Sequence, residues 1–463
     1  MAGTAILLPD AVAIRNMVLG RVLDKLPQPL LVIHALPDAE LETVKTQVKA
    51  DARWIRLAGY QERALTFALR QSLAYAQMFW ADTGSMRFNR QRTVRGSWKT
   101  RVTANTAKVV GQLAASPSSI RMLEVAYCRA VARFPEVEQY RAILASHRPS
   151  VVFCANQRSA AALPVVLAAK SLRIPTATFI VSWDNLTSKG RIAAPFDHYL
   201  VWSDHMRREL LRYYPDVPYN AIHIVGTPQF DCYAWPEVKL SREQFFRSIG
   251  ADPARKLICY SGGDVDTSPE DQDHVRILLE MIRNGEIGGN PQVALRPCPV
   301  DDGKRYESVR KQFPDLLYCA PKWTHPESGD WARCMPSFED MKILANFTAH
   351  ADLNVNLAST MTLDFSIHDR PVVNVAFNVG VCPPSKIPLW DHYYQWEHYK
   401  TVVSIGAARF AKSRAELAAH VNAYLADPAL DRPARRRLVE VQVGTPIGSA
   451  GKRIAEALSN IAA

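Results

Sequence analysis

The residues best suited by type and spacing to do chemistry follow the ends of apolar runs. Late in the chain, ADLNVNL (351–357) gives way to Ala358-Ser359-Thr360-Met361-Thr362-Leu363-Asp364. Small hydroxyl residues that open a helix leave backbone N–H groups pointing at an anion, and the helix dipole adds to the attraction. A pyrophosphate is the natural guest for Ser359 and Thr360, and Asp364, one turn on, would accept both hydroxyls of a ribose. Ordinary N-capping would use the same residues. Earlier, KLICY ends at Ser261-Gly262-Gly263, where two glycines permit close backbone approach to a ligand or simply make a turn. VALRP places Arg296 at another run end, either to neutralise a leaving diphosphate or as a surface cation.

A second constellation lies in the first half. Ser182-Trp183-Asp184-Asn185-Leu186-Thr187-Ser188-Lys189-Gly190-Arg191 comes after an apolar run and concentrates a carboxylate, an amide, hydroxyls and cations. Such polar density is costly to bury without partners. Asp184, and Asp10 after the first apolar run, are candidate general bases, and Asn185 and Lys189 candidate acceptor contacts. An exposed turn with an Asx-type hydrogen bond is the plainer reading of the same segment.

Other chemistries lack their signatures. The chain has no GxGxxG, no GxxxxGK[ST], no HExxH and no GxSxG. Asp264-Val265-Asp266 imitates a DxD metal motif, but it comes after a glycine turn in an acidic run and reads as an exposed helix start; no metal or cofactor is expected. The eight cysteines form no CxxC and read as scattered thiols of a reducing cytoplasm.

Elements that position these groups alternate along the chain. AILLP (5–9), LLVIHAL (30–36), VVFCA (151–155), TATFIVSW (176–183), DHYLVWS (197–203) and AIHIVG (221–226) are separated by helical stretches. After AWPEVKLS (234–241) a second series begins with KLICYSGG, VALRP, LLYCA, ADLNVNL and PVVNVAF. Short β-branched runs between helices predict βαβ units and parallel sheets. A length of 463 residues predicts two domains: 1–235 joined by the C-terminal helix 440–463, and 236–439. No apolar run reaches the roughly 18 residues of a membrane span, and the N-terminus reads as a buried strand, not a signal peptide.

A net charge of +11 favours an anionic partner. The most basic window, 86–101, holds Arg87, Arg90, Arg92, Arg95, Lys99 and Arg101 with Phe88 and Trp98 between them. It is either a solvated face or a docking surface for an anionic acceptor or lipid headgroups, with Arg90 and Arg92 as contacts. No RNA-binding signature accompanies it, so nucleic acid is disfavoured.

Together, SWDNLTSKG (182–190), DHYLVWSDHMRRELL (197–211), HIVGTPQFD (223–231), ALRPCP (294–299), ADLNVNLASTMTLDFSIHDRPVVNV (351–375) and HYKTVVSIGAARFAKSRAEL (398–417) resemble the GT-B superfamily of nucleotide-sugar glycosyltransferases. The likeness is greatest to bacterial surface-polysaccharide transferases and glycerophosphotransferases, and it spans about residues 150–460. It implies two Rossmann-like α/β domains facing across a cleft, with the donor nucleotide on the C-terminal one. Ser261, Gly262, Gly263, Arg296, Ser359, Thr360 and Asp364 would bind that donor. The sequence departs from the family pattern at Asp364, where Glu is usual, and at Cys298, where RxHP has histidine; the latter argues for glycosyl over glycerol-phosphate transfer. The expected activity is metal-independent sugar transfer to a glycan or lipid-linked acceptor, in the cytoplasm or at the inner membrane face. A non-hydrolysing nucleotide-sugar epimerase and a non-catalytic membrane- or RNA-binding protein are the alternatives.

Overall fold

The computed structural model describes residues 3–58, 60, 62–91, 97–324, 334–380 and 389–463. The chain divides into two compact units: Met1–Asp231 with Ser449–Ala463, and Cys232–Gly448.

The first unit holds β1 (Thr4–Leu8), β2 (Leu30–His34), β3 (Ala52–Arg56), β4 (Val151–Cys154), β5 (Thr176–Phe179), β6 (His198–Val201) and β7 (Ile222–Ile224). They form one parallel sheet in the order β3-β2-β1-β4-β5-β6-β7. Every residue of β1, β2, β4 and β5 is buried, the pattern of strands covered on both faces, which explains their unbroken apolar runs. Each buried Val, Leu or Ile there contributes about 1.5–3 kcal/mol.

Among the described residues five helices lie between β3 and β4, Ala64–Ala81, Gly84–Gln91, Trp98–Leu113, Pro117–Val131 and Pro135–His147, where a single crossover helix would suffice. Ser97 and Ser116 cap the third and fourth, and Pro117 sits at the first turn it favours. The last helix, Ala450–Ala462, belongs to this unit: Asp231 accepts from the Ala450 and Gly451 amides at 3.0 and 2.9 Å, and Ile454 and Leu458 are fully buried.

In the second unit, β8 (Leu257–Ser261), β9 (Gln292–Arg296), β10 (Leu317–Tyr318), β11 (Leu353–Asn356), β12 (Val372–Val375) and β13 (Arg409–Ala411) form a parallel sheet in the order β10-β9-β8-β11-β12-β13. Its core gathers Ile258, Tyr260, Leu278, Leu295, Val355 and Val373. Both sheets reverse their strand order once beside the first strand, between β1 and β4 and between β8 and β11. In open α/β sheets, ligands bind beyond the carboxyl ends of strands at such reversals. Among the described residues no helix is long and apolar enough to cross a membrane.

Candidate functional site

In the second unit β8 and β11 run in register, Ser261 opposite Asn356, so the loops at their carboxyl ends meet at the reversal. A buried polar chain ties the two together. Asn354 Nδ2 donates to Ser261 Oγ (2.7 Å) and the Cys259 carbonyl (2.8 Å), and Asn356 Nδ2 donates to Asn354 Oδ1 (2.6 Å). Asn356 Oδ1 accepts from the Ser359 amide at 3.0 Å, and Thr362 Oγ1 lies 2.8 Å from the Tyr399 hydroxyl. This network fixes the loop that begins with Ala358, held at φ +47°. Sequence reasoning missed the asparagines, although two of them one residue apart in an otherwise apolar strand are a visible signal.

Ser359 and Thr360 remain partly exposed on this loop. Ser359 Oγ accepts from the Met361 amide at 3.2 Å, which leaves its hydroxyl proton to donate elsewhere; Thr360 makes no side-chain cap bond. The helix they open, Met361–Ile367, has only seven residues, so its dipole is modest. Asp364 is buried and its Oδ1 accepts from the Tyr233 hydroxyl. Burial, reinforced by that carboxylate, holds the Tyr233 phenol well above its ordinary value.

The other donor-site candidates sit differently from their expected roles. Ser261 is buried and its hydroxyl is engaged by Asn354. The Gly262 amide donates to the Arg296 carbonyl (2.9 Å) and the Gly263 amide to Asp271 Oδ2 (2.7 Å), so neither amide is open to a phosphate. A side chain there would crowd its neighbours: a Cβ on Gly262 would lie 2.5 Å from the Tyr306 hydroxyl, and one on Gly263 would lie 2.7 Å from Ser268 Oγ. Arg296 is no surface cation. It is buried, and its Nη2 donates to both oxygens of Asp340 at 2.9 and 2.8 Å. Asp340 also accepts from Trp323 Nε1 (2.7 Å) and the Lys322 amide (3.0 Å). Arg296 Nη1 is buried without a hydrogen-bond partner among the described residues.

Behind Gly263, Asp271 accepts from the Tyr260 hydroxyl at 2.7 Å and lies 3.5 Å from Arg305. Burial pushes its carboxyl up to about 7 against the pull of these donors. Asp264 of the DxD-like run closes a turn, accepting from the Thr267 amide and hydroxyl at 2.9 Å each. Among the described residues no group of three His, Cys, Asp or Glu side chains is placed to hold a metal.

In the first unit Asp10, after β1, caps the Ala11–Ile14 helix. Its Oδ1 accepts from the Ala13 amide (2.9 Å) and its Oδ2 from Asn156 Nδ2 (2.5 Å), which arrives from the end of β4. Burial raises its carboxyl above the ordinary range, against the Ala13 and Asn156 bonds and the Arg158 charge. Asp184 is more crowded. It accepts from Ser182 Oγ (2.5 Å), Asn185 Nδ2 (3.0 Å) and Ser188 Oγ (2.6 Å), with Lys189 Nζ at 4.0 Å. A carboxylate with both oxygens filled by its own loop organises that loop.

The loop around Asp184 walls a cavity of about 180 Å³ with Arg70, Gln157, Arg158, Asn185, Lys189 and Arg191 among its lining residues and no acid. Glu62 and Glu124, outside the lining, hold Arg70 and Arg191 as close pairs (2.7 and 3.1 Å). Arg158 is exposed and Lys189 half-buried. The Gly84–Gln91 helix and Thr83 before it support this loop from behind: Thr83 and Ser85 hydroxyls donate to the Thr187 carbonyl at 2.5 and 2.6 Å, and Asn89 donates to the Ser188 carbonyl at 2.8 Å.

Arg90, expected to contact an acceptor, is turned inward. It pairs with Asp82 at 2.6 Å, donates to the Met78 carbonyl and covers the Phe79 ring at 4.4 Å. Asp82 also takes Arg87, so an acid just upstream of the basic window consumes two of its cations. Arg92 lies outside the described residues.

No protein-family model matches the chain, and no curated protein does. Among solved structures it is similar to UDP-GlcNAc 2-epimerase from Neisseria meningitidis bound to UDP-GlcNAc, with a TM-score of 0.57 and 10% identity over 99% of each chain. It is similar to MnaA of S. aureus in a structure with UDP, with a TM-score of 0.51 and 10% identity over 99% of this chain and 96% of that one. A glycosyltransferase from Rickettsia africae gives a TM-score of 0.51 and 10% identity, covering 99% and 98% of the two chains. At such identities the likeness shows the fold.

Proposed function

We propose that this chain, which has the two-unit α/β fold of the GT-B type, acts on a nucleoside-diphosphate sugar whose diphosphate rests on the loop Ala358–Met361. The observation that carries this reading is the reversal between β8 and β11, where an asparagine network pre-sets a partly exposed Ser-Thr loop. Fixed donors of this kind stabilise a diphosphate without reorganising. Asp364, bonded to Tyr233, would reach the ribose by exchanging that partner. Arg296, neutralised by Asp340 in the core, keeps a structural role.

Two chemistries fit such a donor site. Epimerisation of the nucleotide sugar has the better support, since UDP-GlcNAc 2-epimerases, one of them bound to UDP-GlcNAc, predominate among the similar solved structures. It requires a base, for which Asp10 is the candidate because burial raises its proton affinity. Group transfer, the reading favoured by sequence resemblance, draws support from the cation-lined cavity of the first unit. Asn185, Lys189 and Arg158 would there hold an acceptor glycan or a lipid-linked acceptor through its phosphates.

Purified protein incubated with a panel of nucleoside-diphosphate sugars separates the two. Epimer formation without any acceptor establishes the first chemistry. An unchanged donor that releases nucleotide only when an acceptor is added establishes the second. If no nucleoside diphosphate stabilises the protein in a thermal-shift screen, both readings fall.

A further inference from the structure

The Trp98–Leu113 helix of the first unit packs against the Ala64–Ala81 helix through Ala104, Ala107 and Gly111, all buried. The approach is close: a Cβ on Gly111 would lie 2.5 Å from the Tyr75 Cβ. At about 100° per residue the opposite side of the helix carries Trp98, Val102, Val109 and Leu113. These are 65, 55, 59 and 84% exposed. A surface helix of a globular protein ordinarily turns its polar side outward, and this one turns out an apolar stripe.

Its flanking charges are of one sign. Lys99 and Arg101 are exposed, Lys108 donates to the Arg90 carbonyl, and residues 98–113 include no acid. The next helix, Pro117–Val131, exposes Met122 and Val125 beside Arg121 and Arg129, while its one acid, Glu124, is paired with Arg191.

We propose that this helix face docks on an anionic lipid surface, with the four stripe residues entering the headgroup–acyl boundary and Lys99 and Arg101 at the level of the phosphates. Apolar side chains combined with cations are the physical requirement for an interfacial helix. A soluble phosphate or a nucleic acid would satisfy the cations and leave the stripe in water. A second copy of the chain would cover the stripe, but its matching helix has no acid, so Lys99 and Arg101 would find no opposite charge on it. The inference is independent of the proposed chemistry. It also moves the docking surface away from Arg90, whose guanidinium is folded inward.

The test uses the full chain with vesicles of phosphatidylglycerol and phosphatidylcholine, or phosphatidylcholine alone, in a flotation assay. The protein is expected to float with the anionic vesicles and to be released as salt is raised. Val109→Glu with Leu113→Glu, and separately Lys99→Glu with Arg101→Glu, should each lower the bound fraction on the order of tenfold. Both pairs are exposed, so circular dichroism and melting temperature should stay at the parent values. No flotation of the parent protein, or equal flotation of the Glu variants, overturns the proposal. Light scattering that shows a dimer which the Val109→Glu, Leu113→Glu protein cannot form, without flotation of either, overturns it in favour of a second copy.

Discussion

The two sheets share one plan and end differently at their reversals. In each, an asparagine of the later strand or its end reaches back to the first: Asn156 to Asp10 in the first unit, Asn354 to Ser261 in the second. The first unit thereby presents a carboxylate whose proton affinity burial has raised. The second presents a neutral hydroxyl–amide chain under a loop of small residues, with its strong cations already paired: Arg296 buried on Asp340, and Arg305, half-buried, on Asp301 and Asp271. On the proposed reading the same topology would serve a proton acceptor at one reversal and an anion cradle at the other. The difference would then reside in the loops at the strand ends.

The largest expected effect tests the first half of that contrast. Asp10→Asn should lower the turnover number by about 10²–10⁴-fold if the carboxylate is the base. Asparagine still caps a helix, so the melting temperature should hold. A loss of less than about fivefold, well short of general-base catalysis, would leave Asp10 as a cap alone. Next, Asp340→Ala strands Arg296 in the core and should destabilise the protein by about 3–5 kcal/mol in urea unfolding. A change under about 1 kcal/mol, the range of exposed pairs, would mean that Arg296 finds solvent or another partner. The two reversals would then differ less than their ion pairs suggest.

A smaller effect is expected from Ser359→Ala. Loss of one hydroxyl donor to a charged diphosphate should weaken UDP binding by about 1.5–3 kcal/mol in calorimetry, with unchanged unfolding. Equal affinity would remove Ser359 from the cradle. The mildest prediction concerns pH. Burial raises Asp271 from the ordinary 3.8 to about 7, so the native protein keeps a proton that the unfolded chain has released. Stability from this group is complete below 3.8 and is lost as pH rises through about 7, at no more than about 1.4 kcal/mol per pH unit. Asp271→Asn lacks that slope, so urea midpoints of parent and variant should draw together across this range wherever the parent starts higher. A constant difference would mean that Arg305 keeps Asp271 ionised throughout.

Much of the fold was legible in the sequence because parallel strands covered on both faces are written as unbroken apolar runs. AILLP, VVFCA and KLICY fall on β1, β4 and β8. Strand β3 was not read, since ARWIR mixes arginines with apolar residues, as an edge strand can where its side chains face solvent. The helical insertion was passed over as well: its Trp98–Leu113 helix buries small residues such as Ala104 and Ala107 and exposes large ones, which defeats an amphipathic reading there. At the site, residue types announced polar loops, but not which groups were already engaged. Arg296 and Arg90 are separated from Asp340 and Asp82 by folding geometry or by a turn, and pairing of that kind leaves no mark on local composition.

The helix Ala450–Ala462 completes a unit whose other parts lie before Cys232. During synthesis the intervening unit is continuous and can fold as soon as it leaves the ribosome. The earlier one gains its last helix only afterwards, and until then the surface covered by Ile454 and Leu458 is wet and the Asp231 carboxylate lacks the Ala450 and Gly451 amides. The unit begun first is therefore the one completed last.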